Sequence, residues 1–258
     1  MKTDTIESDE EMTENKKERW SAIILAAGKG TRMKSDLVKV LHVLCGKPLL
    51  SYSVDMARAV GVEKLAVIIG HQGDLVRKAF KGQGLIFVKQ PEQLGTGHAV
   101  LQARDVFRDY EGTILILCGD VPLLRVSTVK DLMARHVSGE SVITVLTTIL
   151  DDPAGYGRIV KGGKDGSVVK IVEARDASCD EKKIREINTG IYCVNSKFLF
   201  DAVAEINNDN AQKEYYLTDM IEIAVKRGFK IISVIAPDSF EVMGINTPED
   251  LERASVYL

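Results

Sequence analysis

The sequence predicts an α/β fold built on a mostly parallel sheet. Three observations carry this. Strongly apolar runs of four to six residues recur at 22–27 (AIILAA), 64–69 (KLAVII), 85–88 (LIFV) and 113–117 (TILIL), the first and third of them continuously apolar. Such runs suit strands buried on both faces. Helical stretches separate them, and strands alternating with helices argue for parallel pairing with right-handed crossovers. No Pro/Ser-rich linker or internal repeat divides the chain, so it reads as one domain over 20–258.

The first run, 22–27, is ended by Gly28. Residues 49–60 read as a helix stopped by Gly61, and 98–107 as a second helix. The run 113–117 leads into Cys118-Gly119-Asp120 and a helix to about residue 137. After residue 140 the rhythm changes. Residues 141–149 (SVITVLTTI) are long and β-branched. Residues 158–160 and 167–173 flank a Gly/Asp-rich turn at 161–166 and suggest a hairpin. A strand is expected at 191–194, helices near 196–205 and 218–227, and a strand at 230–235. In NTPED, Thr247 can cap, Pro248 suits the first helical position and Asp250 lies three residues after the cap, so a terminal helix starts there.

Composition excludes several classes. The chain has 258 residues, 45% apolar and 28% charged, with net charge −3. That is an ordinary globular balance with no bulk electrostatic case for a nucleic-acid partner. Residues 1–19 hold seven acids and four bases and almost no apolar side chains, and read as a disordered acidic leader. This segment has no apolar h-region and is too acidic for a transit peptide. No run approaches the roughly 18 apolar residues that span a membrane. A cytoplasmic protein with no membrane partner is the expectation. Cys45, Cys118, Cys179 and Cys193 lie far apart without a CxxC pair, and read as reduced thiols in or near the core. The histidines are equally scattered, which argues against a zinc site.

The loop at 25–33 (LAAGKGTRM) follows the first strand directly. Ligands in open α/β sheets bind at the carboxyl ends of strands. Gly28 and Gly30 let backbone N–H groups approach phosphate oxygens, and Arg32, Lys34 and Lys39 add charge. A lone GxG is also compatible with a mere strand-to-helix turn. Spacing excludes two phosphate-binding motifs. There is no GxxxxGK[ST], and the dinucleotide fingerprint needs glycine where Met33 stands. Asp120, at the carboxyl end of a buried strand, suits Mg²⁺, which takes oxygen ligands.

With Lys39 in VKVLH and the following GKPLL, this loop resembles the start of the sugar-nucleotidyltransferase superfamily. Further motifs follow in order: QPEQLGTGHA from Gln90, GDVPL from Gly119, DPAGYGRI from Asp152, EINTG from Glu186 and NAQKEYYLTD from Asn210. Together they resemble the uridylyltransferase domain of the bacterial bifunctional N-acetylglucosamine-1-phosphate uridylyltransferase/glucosamine-1-phosphate acetyltransferases, from about residue 21 onward. QLGTGHA and DPxGYGRI are the most specific. The resemblance implies a Rossmann-like three-layer α/β/α nucleotidyltransferase fold, glycosyltransferase-A-like, with a mixed, mostly parallel sheet. It implies UTP and a sugar 1-phosphate as substrates, and UDP-sugar and pyrophosphate as products. Mg²⁺ is implied as cofactor, held by Asp120 and Asn246. The family carries a β-helical acetyltransferase domain after this one, and this chain stops at Leu258, so acetyl transfer is not expected. The family usually has tyrosine where Cys118 stands, and a smaller side chain there leaves the sugar open.

The resemblance also implies roles. Arg32 and Lys39 hold the triphosphate and stabilise its charge. Leu25, Ala26, Ala27 and Gly28, with Gln90, Gly95 and Thr96, form the uracil and ribose surface, beside Gly30, Thr31 and Gly119. An amide such as Gln90 can both donate to and accept from a pyrimidine edge. Gly157, Glu173 and Asn188 match the sugar contacts. Tyr156 and Arg158 read as shaping the loop around Gly157, Tyr215 and Tyr216 as packing residues, and His98 as having no chemical role. The leading expectation is uridylyl transfer to N-acetylglucosamine 1-phosphate. The alternatives are another sugar 1-phosphate such as glucose 1-phosphate, another NTP, or a non-catalytic nucleotide-sugar sensor.

Overall fold

The computed structural model describes residues 18–162 and 166–258. Its strands are β1 (Trp20–Ala26), β2 (Val43–Leu44), β3 (Lys47–Pro48), β4 (Leu65–Ile69), β5 (Ile86–Lys89), β6 (Thr113–Cys118), β7 (Ile143–Ile149), β8 (Arg158–Gly162), β9 (Ser167–Val172), β10 (Glu186–Asn195) and β11 (Ile231–Ile235). Its α-helices are α1 (Leu49–Ala59), α2 (Gly73–Ala79), α3 (Thr96–Leu101), α4 (Val126–Ser138), α5 (Ser196–Val203), α6 (Met220–Lys226) and α7 (Pro248–Tyr257).

The main sheet runs β11-β7-β10-β6-β1-β4-β5. Neighbours pair in parallel except at β10, which runs antiparallel to both β6 and β7. The hairpin β8–β9 joins through Ile187↔Arg158. The sheet is mixed and mostly parallel, as expected. Residues 163–165 of the hairpin turn lie outside the described residues. So does the expected leader, except for Glu18 and Arg19, which belong to the domain. The Arg19 carbonyl accepts from Thr113 N at 2.9 Å, and its guanidinium pairs with Glu63.

Side-chain alternation makes three layers. Ile23, Ile114, Ile116, Val145 and Tyr192 point to one face and pack with α3, α5 and α6. Ile24, Val67, Leu115, Leu117 and Cys193 point to the other and pack with α1, α2 and α4. Strands covered on both faces bury nearly every side chain and are therefore apolar at most positions, which explains the apolar runs in β1, β4 and β6.

Several elements depart from expectation. The helix expected at 98–107 is two pieces, α3 and a 3₁₀ turn at Arg104–Phe107. The strand expected at 191–194 is ten residues long. Its N-terminal half alternates between buried and half-exposed positions, so it shows no apolar run. Helix α2 buries only Val76 and carries no strong apolar stripe. The small hairpin β2–β3 closes on Cys45 and Gly46 with φ of 45° and 83°, the two positive φ angles a tight hairpin turn takes. Cys45 and Cys179 are exposed rather than near the core. The expected capping box is present: Thr247 Oγ1 accepts from Asp250 N at 3.1 Å and Asp250 Oδ2 accepts from Thr247 N at 3.0 Å. Helix α7 packs through Ala254 against Leu44, Leu49, Leu123 and Ile245. Among the described residues, no helix is long and apolar enough to cross a membrane.

Candidate active site

Because β1, β4, β5 and β6 are parallel, their carboxyl ends share one edge. Their chain order reverses between β6 and β1, the kind of crevice where open α/β sheets bind ligands. A cavity of about 500 Å³ lies there. Its walls include Leu25, Ala26, Ala27, Gly28, Lys39, Gln90, Gly95, Thr96, Cys118 and Asp120, ten of the residues singled out from sequence. Gln93 and Glu214 line it too and were not singled out, although both lie within motifs that were quoted.

The polar end is built by long-range contacts. Gly119 N donates to Leu25 O at 2.9 Å and ties the end of β6 to β1. Any Cβ at Gly119 would lie 3.2 Å from that carbonyl. Asp120 O accepts from Ile245 N at 2.8 Å, which brings the segment before α7 alongside. Asp120 Oδ2 and Asn246 Oδ1 therefore converge. The Lys39 ammonium bridges them: it donates to Asp120 Oδ2, and to Asn246 Oδ1 at 3.1 Å. Arg32 Nη2 donates to the same Asn246 oxygen at 2.9 Å. Asn246 Nδ2 turns away to Gly244 O at 3.0 Å, which fixes the amide with its oxygen toward the cations.

Gly30 has φ +64°, and a Cβ there would lie 2.5 Å from Lys39 Cβ. Glycine is therefore required for the loop to close over Lys39. Met33 is buried and anchors the 3₁₀ turn Thr31–Met33. Thr31 lines a smaller neighbouring cleft with Asp36 and His71 instead of the main cavity.

The cavity wall at Gln90, Gly95 and Thr96 is stitched to a distant segment. Gly95 has φ +109° and stands where a Cβ would meet Tyr215 O at 2.6 Å. Tyr215 N donates to Leu94 O, and Gly97 N to Tyr215 O, both at 2.8 Å. Thr96 Oγ1 accepts from Leu217 N at 3.1 Å. Tyr216 is buried and Tyr215 packs on the core. This pairing brings Glu214 to the cavity. Gln90 is 3% exposed and donates to Gly95 O and His98 Nδ1, each at 3.1 Å.

Gly157, Glu173 and Asn188 form a second cluster beside the cavity. Asn188 N donates to Gly157 O at 2.9 Å, and a Cβ on Gly157 would lie 3.5 Å from Glu173 Oε2. Glu173 Oε1 accepts from Thr218 Oγ1 at 3.0 Å. Burial raises the Glu173 carboxyl above its ordinary range, with Asp176 and Glu214 acting the same way and the Thr218 hydrogen bond opposing. Glu173 also lines a hollow of about 580 Å³ with Asp176 and Asp219. Arg158 is 4% exposed and holds the preceding loop by donating to Tyr156 O and, at 3.1 Å, to Ala154 O.

Cys118 joins the two clusters. The register of β10 shifts between Asn188 and Tyr192, with Gly190 at φ +78°, so the strand bulges beside the cavity. Cys118 Sγ reaches Gly190 O at 3.5 Å, and a Cβ on Gly190 would lie 3.0 Å from the sulfur. Burial pushes the Cys118 thiol up to about 12, helped by Asp120 and opposed by Lys39. A thiol held neutral is not a nucleophile. Among the described residues, no three His, Cys, Asp or Glu side chains group as a metal cluster.

The family described as MobA-like NTP transferase domain matches residues 22–213. The chain belongs to this family. It is 49% identical over 238 residues to "Bifunctional protein GlmU" of Geobacter metallireducens, covering 92% of this chain and 50% of that protein. It is 50% identical over 235 residues to the protein of the same name from Geotalea daltonii, covering 91% of this chain and 51% of that protein. The chain thus spans about half the length of these curated relatives. A solved structure, "The Crystal Structure of UDP-glucose pyrophosphorylase complexed with UDP-glucose", superposes with a TM-score of 0.74 at 18% identity, over 93% of this chain and 98% of that one. That likeness establishes a shared nucleotidyltransferase fold.

Proposed function

We propose that the chain transfers a uridylyl group from UTP to N-acetylglucosamine 1-phosphate, giving UDP-N-acetylglucosamine and pyrophosphate. The observation that carries this is the convergence of Lys39, Arg32, Asp120 and Asn246 at the mouth of a nucleotide-sized cavity. Both substrates are polyanions, so the work is mainly positioning and charge neutralisation. A phosphate oxygen of the sugar attacks the α-phosphorus of UTP. The bond from that phosphorus to the bridging oxygen breaks, and pyrophosphate leaves with its electron pair. No side-chain nucleophile takes part. Lys39 and Arg32 hold the phosphates and offset the charge that develops on them. The glycine loop excludes side-chain bulk from the phosphate path, and Gln90 faces the base.

Mg²⁺ fits the donor set of Asp120 and Asn246. One ammonium already contacts both oxygens, so a single cation can meet both. Both are hard oxygen donors, and two protein ligands leave room for water and phosphate oxygens. When bound, the ion would neutralise phosphate charge. Lys39 must then yield the oxygens and turn its charge toward the triphosphate.

Cys118 favours a second reading for the acceptor. Its small side chain sits at the junction of the nucleotide and sugar clusters, and another sugar 1-phosphate such as glucose 1-phosphate is the alternative. Pyrophosphate release from UTP, Mg²⁺ and N-acetylglucosamine 1-phosphate tests the proposal. Folded protein that turns over none of the sugar phosphates overturns it.

A further inference from the structure

The base-reading amide of Gln90 is held by an imidazole that sequence left without a role. Gln90 donates one proton to Gly95 O and the other to His98 Nδ1, each at 3.1 Å. Both amide protons are therefore spent inside the protein, and the oxygen is what Gln90 can offer a ligand.

His98 is contested. Its Nε2 lies 3.1 Å from Gln102 Nε2, yet a neutral imidazole carries one N–H and accepts through one nitrogen only. Gln90 is 3% exposed, while Gln102 is half-buried and its Nε2 already has a second acceptor, His98 O at 3.2 Å, so it does not depend on the ring. The buried bond prevails, because an unmet donor costs most where water cannot reach it. The proton then sits on Nε2, and Nδ1 accepts from Gln90. The ring is backed by Tyr215, with centroids 6.2 Å apart. Tyr215 in turn is stitched to Leu94 and Gly97.

We propose that His98 is a positioning residue that sets pyrimidine selection. By accepting an amide proton at Nδ1 it fixes the Gln90 oxygen toward the cavity. That oxygen suits the N3–H of uracil. Cytosine presents a lone pair at the same atom, so the fixed oxygen repels it. Without the His98 acceptor the amide can rotate and show its NH₂ group, which suits cytosine instead. This inference rests on the reading of Gln90 as a base contact.

The test measures UTP and CTP binding by calorimetry with Mg²⁺, together with kcat/KM for each nucleotide. It compares the wild type with His98→Ala, His98→Asn, Gln90→Ala and the His98→Ala/Gln90→Ala double variant. The loss of one fixed hydrogen-bond acceptor should cut the UTP-over-CTP preference about tenfold in His98→Ala. KM for the sugar 1-phosphate should not change. His98→Asn, whose Oδ1 can stand near the Nδ1 position, should restore most of the preference. The double variant should discriminate no worse than Gln90→Ala, because both changes act through one amide. Should His98→Ala not fold, His98→Met carries the same expectation. A wild-type preference in His98→Ala, or additive losses in the double variant, overturns the role of His98 alone. If Gln90→Ala keeps the preference, or the wild type has none, the base reading of Gln90 falls and this inference with it.

Discussion

The ammonium of Lys39 occupies the space between Asp120 Oδ2 and Asn246 Oδ1, the two oxygens best placed to hold a cation. On the proposed function, lysine and metal would compete for one position. Without nucleotide, Lys39 neutralises the carboxylate; with triphosphate present, the phosphates offer Lys39 a stronger partner. Lys39→Met should accordingly tighten Mn²⁺ binding to the nucleotide-free protein while lowering turnover by about 10²-fold or more. Mn²⁺ titration followed by electron paramagnetic resonance checks the first part. Unchanged or weaker binding would argue against shared occupancy.

Asp120→Ala removes the carboxylate but keeps the Asp120 carbonyl that accepts from Ile245 N. The fold should survive, with an unchanged circular dichroism spectrum and cooperative melting. Turnover should fall by about three orders of magnitude, the scale seen when a preorganised charge contact is lost. Wild-type-like activity would remove Asp120 from the site.

Gly30→Ala tests the loop. The new Cβ meets Lys39 Cβ at 2.5 Å, and the left-handed backbone adds strain. Roughly 1–3 kcal/mol of stability should be lost, measured by urea unfolding, and KM for UTP should rise. Gly28→Ala should be mild for stability, because nothing lies within 4 Å of its Cβ position. Equal losses in both variants would mean that general loop stiffness, not the contact with Lys39, sets the requirement.

This contrast shows what the sequence could and could not reveal. The strands β1, β4 and β6 were legible because burial on both faces forces apolar runs; β5 shows a similar run but is a half-exposed edge strand, so it is not the doubly buried strand its run suggested. The ends of those strands located Gly28, Gln90, Cys118 and Asp120. The resemblance, rather than any local pattern, supplied Asn246 and Glu173, whose neighbours lie far away in the chain. The antiparallel pairing of β10 and its bulge at Gly190 were not legible, because pairing direction leaves no local trace. His98 was passed over for a similar reason: its importance lies in which nitrogen faces Gln90.

Two groups with shifted titrations, buried His136 and half-buried Asp219, give stability opposing pH dependences. Burial pulls His136 from 6.5 down to about 4, so between these values the unfolded chain binds the extra proton. Stability is then full above about 6.5 and is lost as pH falls toward 4. Asp219 is pushed up to about 6, mainly by burial and then by Glu222, Glu173 and Asp176. Its folded form holds a proton that the unfolded chain has released, so stability falls as pH rises from 3.8 toward 6. The two contributions partly cancel in the wild type. His136→Gln should unmask a stability that falls with rising pH over this window, and Asp219→Asn the reverse. Urea midpoints at pH 4, 5, 6 and 7 give the answer. Parallel profiles for both variants would contradict the assignment.

The most direct measurement is a turnover panel: UTP, dTTP and CTP against several sugar 1-phosphates, with pyrophosphate release followed with Mg²⁺ and after its removal by chelation. UTP with N-acetylglucosamine 1-phosphate should give the highest kcat/KM. Chelation should abolish the activity, and added Mg²⁺ should restore it. A large margin in favour of a non-acetylated sugar phosphate would contradict the proposed acceptor. Binding of UDP-sugar without turnover of any pair would contradict catalysis itself.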